Sequence, residues 1–579
     1  MNKESRFYIR KLLFLLVPYK KAIVLISCCL VISTVINLYI PILSRDIMDK
    51  GFIKGDQPYL IRLAVIIFLL YTANGLLNML KEKKRISIIG KLQFNLVTQS
   101  YEHLMRLRIG YFSNKNNAEI LNNLNMDIIN IKGIADQELF FVITQIFNII
   151  GGIIGLFAID YRLTLAVLLF VPIKYKVMII FASKRKKLMD SVIEQNEIYA
   201  GFFGDSVAGV KEIRMFGILN EKVNKMRRIQ EKMIGEQNKL DLLTQMNFLV
   251  DSFLVQMLIM ILYIFGSILV LDLKLTIGSI FAFITYSTYV TNPISAILNV
   301  GYYLAGIIPS AKRYFNLMEQ DEECGELEGV CSDIDNNEWG DLVFENVFFS
   351  YNSSNPVLKD ISFKINERQK VAIIGSNGAG KTTLVDLILR FIEPSQGKIY
   401  LDGKELSEIS LSVYREKVSV VSQQIYLFND TIENNICLNK TIGKNELADV
   451  IRDSGLEELI SKVSLDYVVG NSGAMLSGGQ KQKIALARAL IHDNPVVIFD
   501  EATSNTDVFT EKQMVNLLNT RLKNKTVIII THKLSVLEGV DNILVLKDGM
   551  INGNGSYRYL LENNELFRSM VALGQDFAL

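Results

Sequence analysis

Hydrophobic and polar residues follow two different patterns along the chain. Up to about residue 320, apolar runs recur that are long enough to cross a bilayer as helices, which takes about twenty residues each. Beyond about residue 340, short apolar runs such as "KVAIIG" and "TVIIIT" alternate with mixed helical stretches. This second pattern is typical of an α/β domain with a largely parallel sheet. We therefore predict a membrane domain over residues 1–320, a linker over 321–340 and an α/β domain over 341–579.

The first domain is predicted to span the membrane about six times, near residues 22–44, 58–80, 137–159, 162–182, 248–271 and 275–300. Two long segments, 81–135 and 183–247, contain the basic runs "KEKKR", "HLMRLR" and "SKRKK". The short connections "DYR" and "DLK" carry almost no excess positive charge. Because positive loops stay inside, both long segments, both chain ends and the α/β domain are expected in the cytoplasm.

The long segments favour helix and lack loop signals, so the spans are predicted to continue well beyond the bilayer. Short turns are expected near 110–120 and 204–217. The basic, apolar start of the chain predicts an elbow helix on the membrane surface. The linker has many acidic residues and no Lys or Arg, which favours a solvated segment.

The amino-acid composition narrows the classes of protein to which this chain could belong. Half of the 579 residues are hydrophobic and the formal net charge is only +2. This balance suits a membrane protein, and no nucleic-acid partner is expected. The five cysteines are scattered in a way that indicates neither a disulfide framework nor a zinc site.

The α/β domain contains a phosphate-binding loop. "GSNGAGKT", from Gly375 to Thr382, directly follows the strand "KVAII" and precedes the helical "TTLVDLILRF". In a P-loop the backbone amides wrap the phosphates, so Lys381 is expected to reach the β and γ oxygens and Thr382 to ligate Mg²⁺. ATP and Mg²⁺ are the predicted cofactors.

Two carboxylates end another apolar strand, "VVIFDE". Ligand groups collect at the carboxyl ends of parallel strands. Asp500 is therefore expected to hold Mg²⁺, directly or through water. Glu501, one residue later, is expected to polarise the attacking water.

A second anion site is predicted at "LSGGQ", where a serine and two glycines open a long helix. Unpaired N–H groups and the helix dipole favour an anion there. The P-loop already encloses one side of a nucleotide, so this helix start is predicted to contact the nucleotide of a second copy. Two ATP molecules would then be buried in a dimer interface that opens when the γ-phosphate is lost.

Six elements in order, "FFSY", the P-loop, "VVSQQIYLF", "LSGGQ", "FDEATSNTD" and "ITH", resemble a half-size exporter of the ATP-binding cassette (ABC) family. The resemblance implies that Tyr351 stacks on adenine, Gln423 senses the γ-phosphate and Mg²⁺, and Asp507 links the two sites. It implies catalysis by Glu501, His532 and Gln423, and metal binding by Thr382, Gln423 and Asp500. The nucleotide-binding residues would be Tyr351, Gly375, Ser376, Asn377, Gly378, Ala379, Gly380, Lys381, Thr382, Thr383, Gln423, Ser477, Gly478, Gly479, Gln480 and Asp507.

The sequence departs from the family pattern in a few places. Ser422 stands where proline is common, "SNTD" replaces "SALD", and "DYVVGNSGAM" lacks the usual charged pair. The catalytic elements are intact, so a homodimer is the first expectation, and an unlike partner stays open.

Polar residues inside predicted spans are candidates for cargo binding, because such residues are costly in a bilayer. The candidates are Lys174, Lys176, Asp251, Gln256, Asn148 and Asn299, with Tyr286, Tyr289, Tyr302 and Tyr303 as cavity-lining or interfacial aromatics. Lys174 and Lys176 are two residues apart and cannot share a helix face, so at most one is expected to face a cavity. Snorkelling to the interface is the favoured interpretation of both. His103 and His492 are expected to be surface histidines.

These features predict ATP-driven efflux of an amphipathic or hydrophobic substrate by alternating access, and they leave peptide, lipid and drug open. Two alternatives stay open at this stage. One is an ATP-gated channel or regulatory subunit, and the other is a membrane ATPase that acts on a partner complex.

Overall fold

A computed structural model describes residues 3–113, 117–135, 137–323, 339–351, 356–438, 440–500, 511–531 and 534–576. The chain divides into two compact units. We name Met1–Met105 with Asn116–Gln320 the helical unit, and Arg106–Lys115 with Asp321–Leu579 the α/β unit. Most of the predicted linker lies outside the described residues.

The first ten helices follow one another with short connections. Their bounds are α1 Lys3–Phe14, α2 Lys20–Asp46, α3 Gln57–Arg106, α4 Gly110–Ser113, α5 Asn117–Lys132, α6 Gln137–Ile159, α7 Tyr161–Ala208, α8 Val210–Met215, α9 Leu219–Leu271 and α10 Ile277–Met318. Five of the six predicted spans fall within one of these helices, and the sixth, 275–300, begins two residues before α10. Among the described residues, four stretches are long and apolar enough to cross a membrane: Val17–Phe52, Gln57–Arg106, Tyr161–Ala208 and Leu219–Leu271.

Helix caps explain the tight connections at one end of the spans. The Asp160 carboxylate accepts hydrogen bonds from the N–H groups of Arg162 and Leu163, at 2.8 and 3.0 Å. It thereby caps α7 immediately after α6 ends. The Thr276 hydroxyl caps α10 in the same way by accepting from the N–H of Ser279.

At the opposite end, the helices run far past the length that a bilayer needs. Helices α3, α7 and α9 contain 50, 48 and 53 residues. The two predicted turns hold the short helices α4 and α8. The predicted elbow is the amphipathic α1, which buries Tyr8 and Leu12 in a cluster with residues of α3, α5 and α10.

The α/β unit contains ten strands and ten further helices in the described part of the chain. The strands are β1 Leu342–Phe349, β2 Leu358–Ile365, β3 Lys370–Gly375, β4 Gln396–Leu401, β5 Lys404–Glu405, β6 Val418–Val421, β7 Val496–Asp500, β8 Thr526–Ile530, β9 Asn542–Lys547 and β10 Met550–Gly555. The helices are α11 Lys381–Ile388, α12 Leu411–Glu416, α13 Ile432–Cys437, α14 Lys444–Asp453, α15 Glu457–Val463, α16 Gly478–Ile491, α17 Glu511–Asn519, α18 Leu534–Glu538, α19 Tyr557–Asn563 and α20 Glu565–Asp576.

The larger sheet has six strands in the order β10-β9-β3-β8-β7-β6. All neighbouring pairs in it are parallel except β9 with β10. This confirms the predicted, largely parallel sheet. A second, antiparallel sheet of order β2-β1-β4-β5 was not predicted.

The larger sheet separates two hydrophobic cores, because successive side chains of a strand point to opposite faces. Val371 and Ile373 of β3 join the core that contains α11 residues such as Leu384. Ala372 and Ile374 join the core that contains α16 residues such as Ile484. Helices α11 and α16 therefore lie on opposite faces of the same sheet.

Candidate nucleotide-binding site

The loop between β3 and α11 needs glycine at three positions. Gly378 and Gly380 have φ values of +82° and +99°, which side chains other than glycine rarely adopt. A Cβ on Gly380 would lie 2.6 Å from the Leu358 side chain, and one on Gly375 would lie 2.5 Å from the Leu546 carbonyl oxygen. The positive φ angles of Gly378 and Gly380 and the close contacts at Gly375 and Gly380 together fix the loop shape that the sequence predicts.

Lys381 is held inside the curve of this loop. Its side chain is 7% exposed, and its Nζ donates hydrogen bonds to the carbonyl oxygens of Gly375 at 2.7 Å and Ser376 at 3.1 Å. The residue also begins α11, whose first N–H groups have no partner within the helix. A buried ammonium and a helix start at one loop fit the phosphates of a nucleotide.

Tyr351 lies beside the same helix. Its ring is 59% exposed and packs edge-on against Phe349, with centroids 4.9 Å apart. Its hydroxyl is 3.3 Å from the Thr383 Oγ1. An exposed aromatic ring next to the P-loop helix is suited to stacking on a base.

Carboxylate and amide groups gather at the carboxyl edge of the sheet. Asp500 ends β7, and Gln423 follows β6, the strand that pairs with β7 in parallel. Burial raises the pKa of the Asp386 carboxyl on α11, and the negative charge of Asp500 raises it further. Asp386 lies one helical turn after Thr382, so the Thr382 hydroxyl and the Asp386 carboxylate lie on the same face of α11. Such oxygen donors fit Mg²⁺.

Sequence reasoning missed Asp386. The available signal was a lone acid in the apolar helix "TTLVDLILRF", four residues after Thr382 and hence on the same helix face.

The "LSGGQ" segment forms a capped helix start. The Ser477 Oγ accepts from the N–H of Gln480 at 3.3 Å, and the Gln480 Oε1 accepts from the N–H of Ser477 at 2.9 Å. This capping box fixes the first turn of α16. Ser477 and Gly478 are exposed, and Gly479 is buried. The helix start thus presents exposed backbone to a ligand.

The structure brings some predicted residues together and separates others. The P-loop, Asp500 and Gln423 lie at the carboxyl ends of strands of the larger sheet, and Tyr351 lies beside the P-loop helix α11. The "LSGGQ" helix lies on the opposite sheet face from the P-loop helix. Glu501, Asp507 and His532 lie outside the described residues.

Comparison with known proteins matches both parts of the chain. Residues 23–294 match the family model of the ABC transporter transmembrane region, and residues 358–504 match the ABC transporter model. The chain belongs to the ABC transporter family. It is a multi-pass membrane protein whose α/β unit binds ATP and couples its hydrolysis to transport.

Relatives of this ABC transporter cover it almost end to end. The ATP-dependent lipid A-core flippase of Escherichia coli (strain K12) is 28% identical over 577 residues, 97% of each chain. The flippase of Wigglesworthia glossinidia brevipalpis is 28% identical over 568 residues, 96% of each. A bacterial Atm1-family ABC exporter with ATP bound shares the fold, with a TM-score of 0.79, 22% identity, and coverage of 96% of this chain and 98% of that one.

The transporter buries one of its two intramembrane lysines. Lys174 is fully buried and its Nζ lies 2.9 Å from the Asp251 Oδ1, whereas Lys176 is exposed. The two lysines therefore lie on different faces of α7, as predicted. The snorkelling interpretation is wrong for Lys174, because the carboxylate on α9 supplies a partner inside the unit.

Other intramembrane candidates have structural contacts. The Tyr286 hydroxyl donates to the Leu38 carbonyl oxygen at 2.5 Å, and the Tyr289 hydroxyl to that of Asn37 at 3.3 Å. Both tyrosines therefore tie α10 to α2. Gln256 is exposed, and the Asn148 side chain lies 3.5 Å from that of Gln145. The side chains of Asn299, Tyr302 and Tyr303 lie outside the described residues.

Neither of the two other histidines is the surface residue expected. His103 is buried, with its Nε2 2.8 Å from the Leu317 carbonyl oxygen. His492 is partly buried, and its Nε2 has no hydrogen-bond partner among the described residues. Burial lowers the pKa of His492, and the charges of Lys440 and Arg488 lower it further.

Proposed function

We propose that two copies of this transporter form a homodimeric exporter with two shared ATP sites. Each site would combine the P-loop of one copy with the "LSGGQ" helix start of the other. Binding of ATP would close the pair, and hydrolysis would release it and drive alternating access.

The observation that carries this proposal is the placement of α11 and α16 on opposite faces of one sheet. A nucleotide on the P-loop cannot reach the Ser477 helix start of its own copy. The capping box nevertheless keeps that start rigid and exposed, as an anion site requires. In a twofold dimer, the Ser477 helix start of each copy would complete the nucleotide site at the P-loop of the other copy.

The roles of individual residues follow from this arrangement. Lys381 would neutralise the β and γ oxygens, and Tyr351 would stack on the base. Thr382, Asp500 and Gln423 would hold Mg²⁺, which neutralises phosphate charge when bound. Glu501 would accept a proton from the attacking water, and His532 would hold the γ-phosphate in line with it.

We also propose the direction and class of the cargo. The basic segments support a cytoplasmic location for both chain ends and the α/β unit. The curated relatives are named as lipid A-core flippases, which supports an amphipathic cargo moved away from the cytoplasmic leaflet.

Complementation between two inactive variants tests the shared site. Lys381→Ala removes the cradle, and Ser477→Glu places a negative charge where the partner's γ-phosphate would lie. Co-expression with two different tags and tandem purification isolates mixed dimers. In each mixed dimer one site is intact and the other carries both defects, so ATPase activity should recover to about half of the wild-type rate.

Each variant purified alone with both tags is the matched control and should be inactive. If the mixed dimers are as inactive as the two parents, the sites are not shared in the proposed way. Full activity of a strictly monomeric form would contradict the proposal directly.

A further inference from the structure

The chain passes from the helical unit into the α/β unit twice, after Met105 and after Gln320. The two entering segments are joined just inside the α/β unit. The Glu323 N–H donates a hydrogen bond to the Arg106 carbonyl oxygen at 2.7 Å, and Leu107 forms an isolated antiparallel bridge with Glu322. We name Arg106, Leu107, Glu322 and Glu323 the junction. Because of these bonds, the end of α3 and the chain that follows α10 enter the α/β unit as one piece.

The Glu323 side chain fastens the junction to the rest of the α/β unit. Its carboxylate accepts hydrogen bonds from Nη2 of Arg415 at 2.6 Å and from Nη1 at 2.8 Å. The side chains of Glu323 and Arg415 are 21% and 29% exposed, so solvent screens this pair less than a fully exposed one. A bidentate pair of this kind fixes orientation as well as distance.

The same guanidinium holds the end of the P-loop helix. Nε of Arg415 donates a hydrogen bond to the Leu389 carbonyl oxygen at 3.2 Å, and Nη2 donates one to that of Arg390 at 2.9 Å. Leu389 is the C-terminal cap of α11, where the helix dipole favours a cation. Since α11 begins at Lys381, one side chain connects the junction to the helix that starts at the phosphate-binding loop.

Arg415 is also close in sequence to the second part of the nucleotide site. It lies on α12, three residues before β6, the strand that Gln423 follows. Its guanidinium carbon lies 4.8 Å from the centroid of the Phe391 ring. Lysine cannot reproduce these contacts, because it lacks the planar fork of the guanidinium group. The position therefore requires arginine for its shape as well as for its charge.

We propose that Glu323 is a positioning residue that couples ATP binding to the membrane helices. When ATP binds, the P-loop and α11 shift together, and the bidentate pair of Arg415 and Glu323 passes this shift to the junction. The junction then moves the end of α3 together with the chain that follows α10. Glu323 contacts neither nucleotide nor cargo and acts through Arg415. The inference goes beyond the shared ATP sites, since the whole connection lies within one copy.

Hydrogen–deuterium exchange of the full-length protein in nanodiscs of phosphatidylcholine tests the inference. Exchange is compared without nucleotide and with adenylyl-imidodiphosphate, for residues 371–390 around the P-loop and for residues 82–105 of α3. In the wild type the nucleotide should slow exchange in both segments.

Two variants break the pair in different ways. Glu323→Gln keeps the shape of the side chain and removes its charge, whereas Arg415→Lys keeps the charge and removes the fork. In each variant the nucleotide-dependent change in 82–105 should shrink at least about threefold, which is the equilibrium effect of roughly one hydrogen bond. The change in 371–390 should remain.

Asp321→Asn is the matched control, because it replaces an exposed acid by its amide two residues before Glu323. It should respond to the nucleotide like the wild type. The double variant should lose no more than Arg415→Lys alone, because both replacements break the same contact. Titration with a fluorescent ATP analogue checks that each variant is folded, and either single variant suffices if the other does not fold.

Four results would overturn the inference. An undiminished change in 82–105 in variants that bind ATP would show that the pair is not needed, and an equal loss in Asp321→Asn would assign the effect to general charge. No change in 82–105 of the wild type would show that ATP binding does not reach α3. Loss of ATP affinity in both single variants would give the pair a structural role in the nucleotide site instead. Each measurement uses one kind of chain, so failure of the mixed dimers would count against the shared ATP sites alone.

Discussion

The Nζ of Lys381 lies 2.7 Å from the carbonyl oxygen of Gly375, six residues earlier in the chain. The charge of this side chain is thus held within the loop by backbone carbonyl oxygens. A preorganised charge binds its ligand without a further ordering cost.

Replacing Lys381 with Ala should abolish tight ATP binding, because the loop then lacks its only charged donor to the β and γ oxygens. Titration with a fluorescent ATP analogue measures this. The structure gives a clear control in Lys370→Ala, at the opposite end of β3. If Lys381→Ala keeps its ATP affinity, Lys381 does not bind the phosphates as assigned.

Replacing Glu501 with Gln should leave ATP binding intact and prevent turnover, because the amide cannot accept a proton from water. The dimer should then persist in a closed, ATP-bound form. Retention of ATP after gel filtration and cross-linking between copies measure it. Hydrolysis near the native rate would show that another group is the base.

Tyr414 offers a test of the packing behind the P-loop helix. It is fully buried, and its hydroxyl donates to the Ile388 carbonyl oxygen at the end of α11 at 2.5 Å. Burial raises the pKa of this tyrosine. Tyr414→Phe leaves the carbonyl without this donor and should lower the free energy of unfolding by about 1–3 kcal/mol.

The measurement can use the one tryptophan of the chain. Trp339 is 3% exposed and its ring centroid lies 5.3 Å from that of Tyr414, so its emission reports unfolding of the α/β unit. Tyr559→Phe, at an exposed tyrosine, is the control and should leave the urea midpoint unchanged. Equal midpoints for Tyr414→Phe and the wild type would mean that the hydroxyl contributes nothing.

His492 predicts how stability depends on pH. Its pKa is lowered in the folded chain, so the unfolded chain takes up a proton first as the pH falls below about 6.5. The stabilisation is therefore present at higher pH and is lost as the pH falls toward the folded pKa. His492→Gln should reduce the loss of stability between about pH 7.5 and pH 5. Urea midpoints from Trp339 emission across this range measure it, and identical slopes would contradict the prediction.

Local sequence patterns were sufficient to predict much of this fold. The buried runs of β3, β7 and β8 are continuous and apolar, which is typical of parallel strands covered on both faces. The P-loop could be placed because its glycines and its flanking elements are adjacent in sequence. The antiparallel sheet escaped prediction because its pairs join distant segments, such as β1 with β4.

Side-chain environments proved harder to predict than backbone elements. Lys174 appeared to be a snorkelling residue because its partner, Asp251, lies on another helix far along the chain. His103 acquires its contact only when α3 packs against α10. The separation of α11 and α16 depends on which sheet face each helix covers, and that is a tertiary property.

Helix α9 runs for 53 residues and contains no proline, unlike α2, α7 and α10. At 1.5 Å per residue it is a rod of about 80 Å. A tilt of about 5° at one end would sweep the other end through about 7 Å, since a rod of that length moves as a unit. Helix α9 can therefore convert a small rotation at one end into a displacement of several ångströms at the other end without bending.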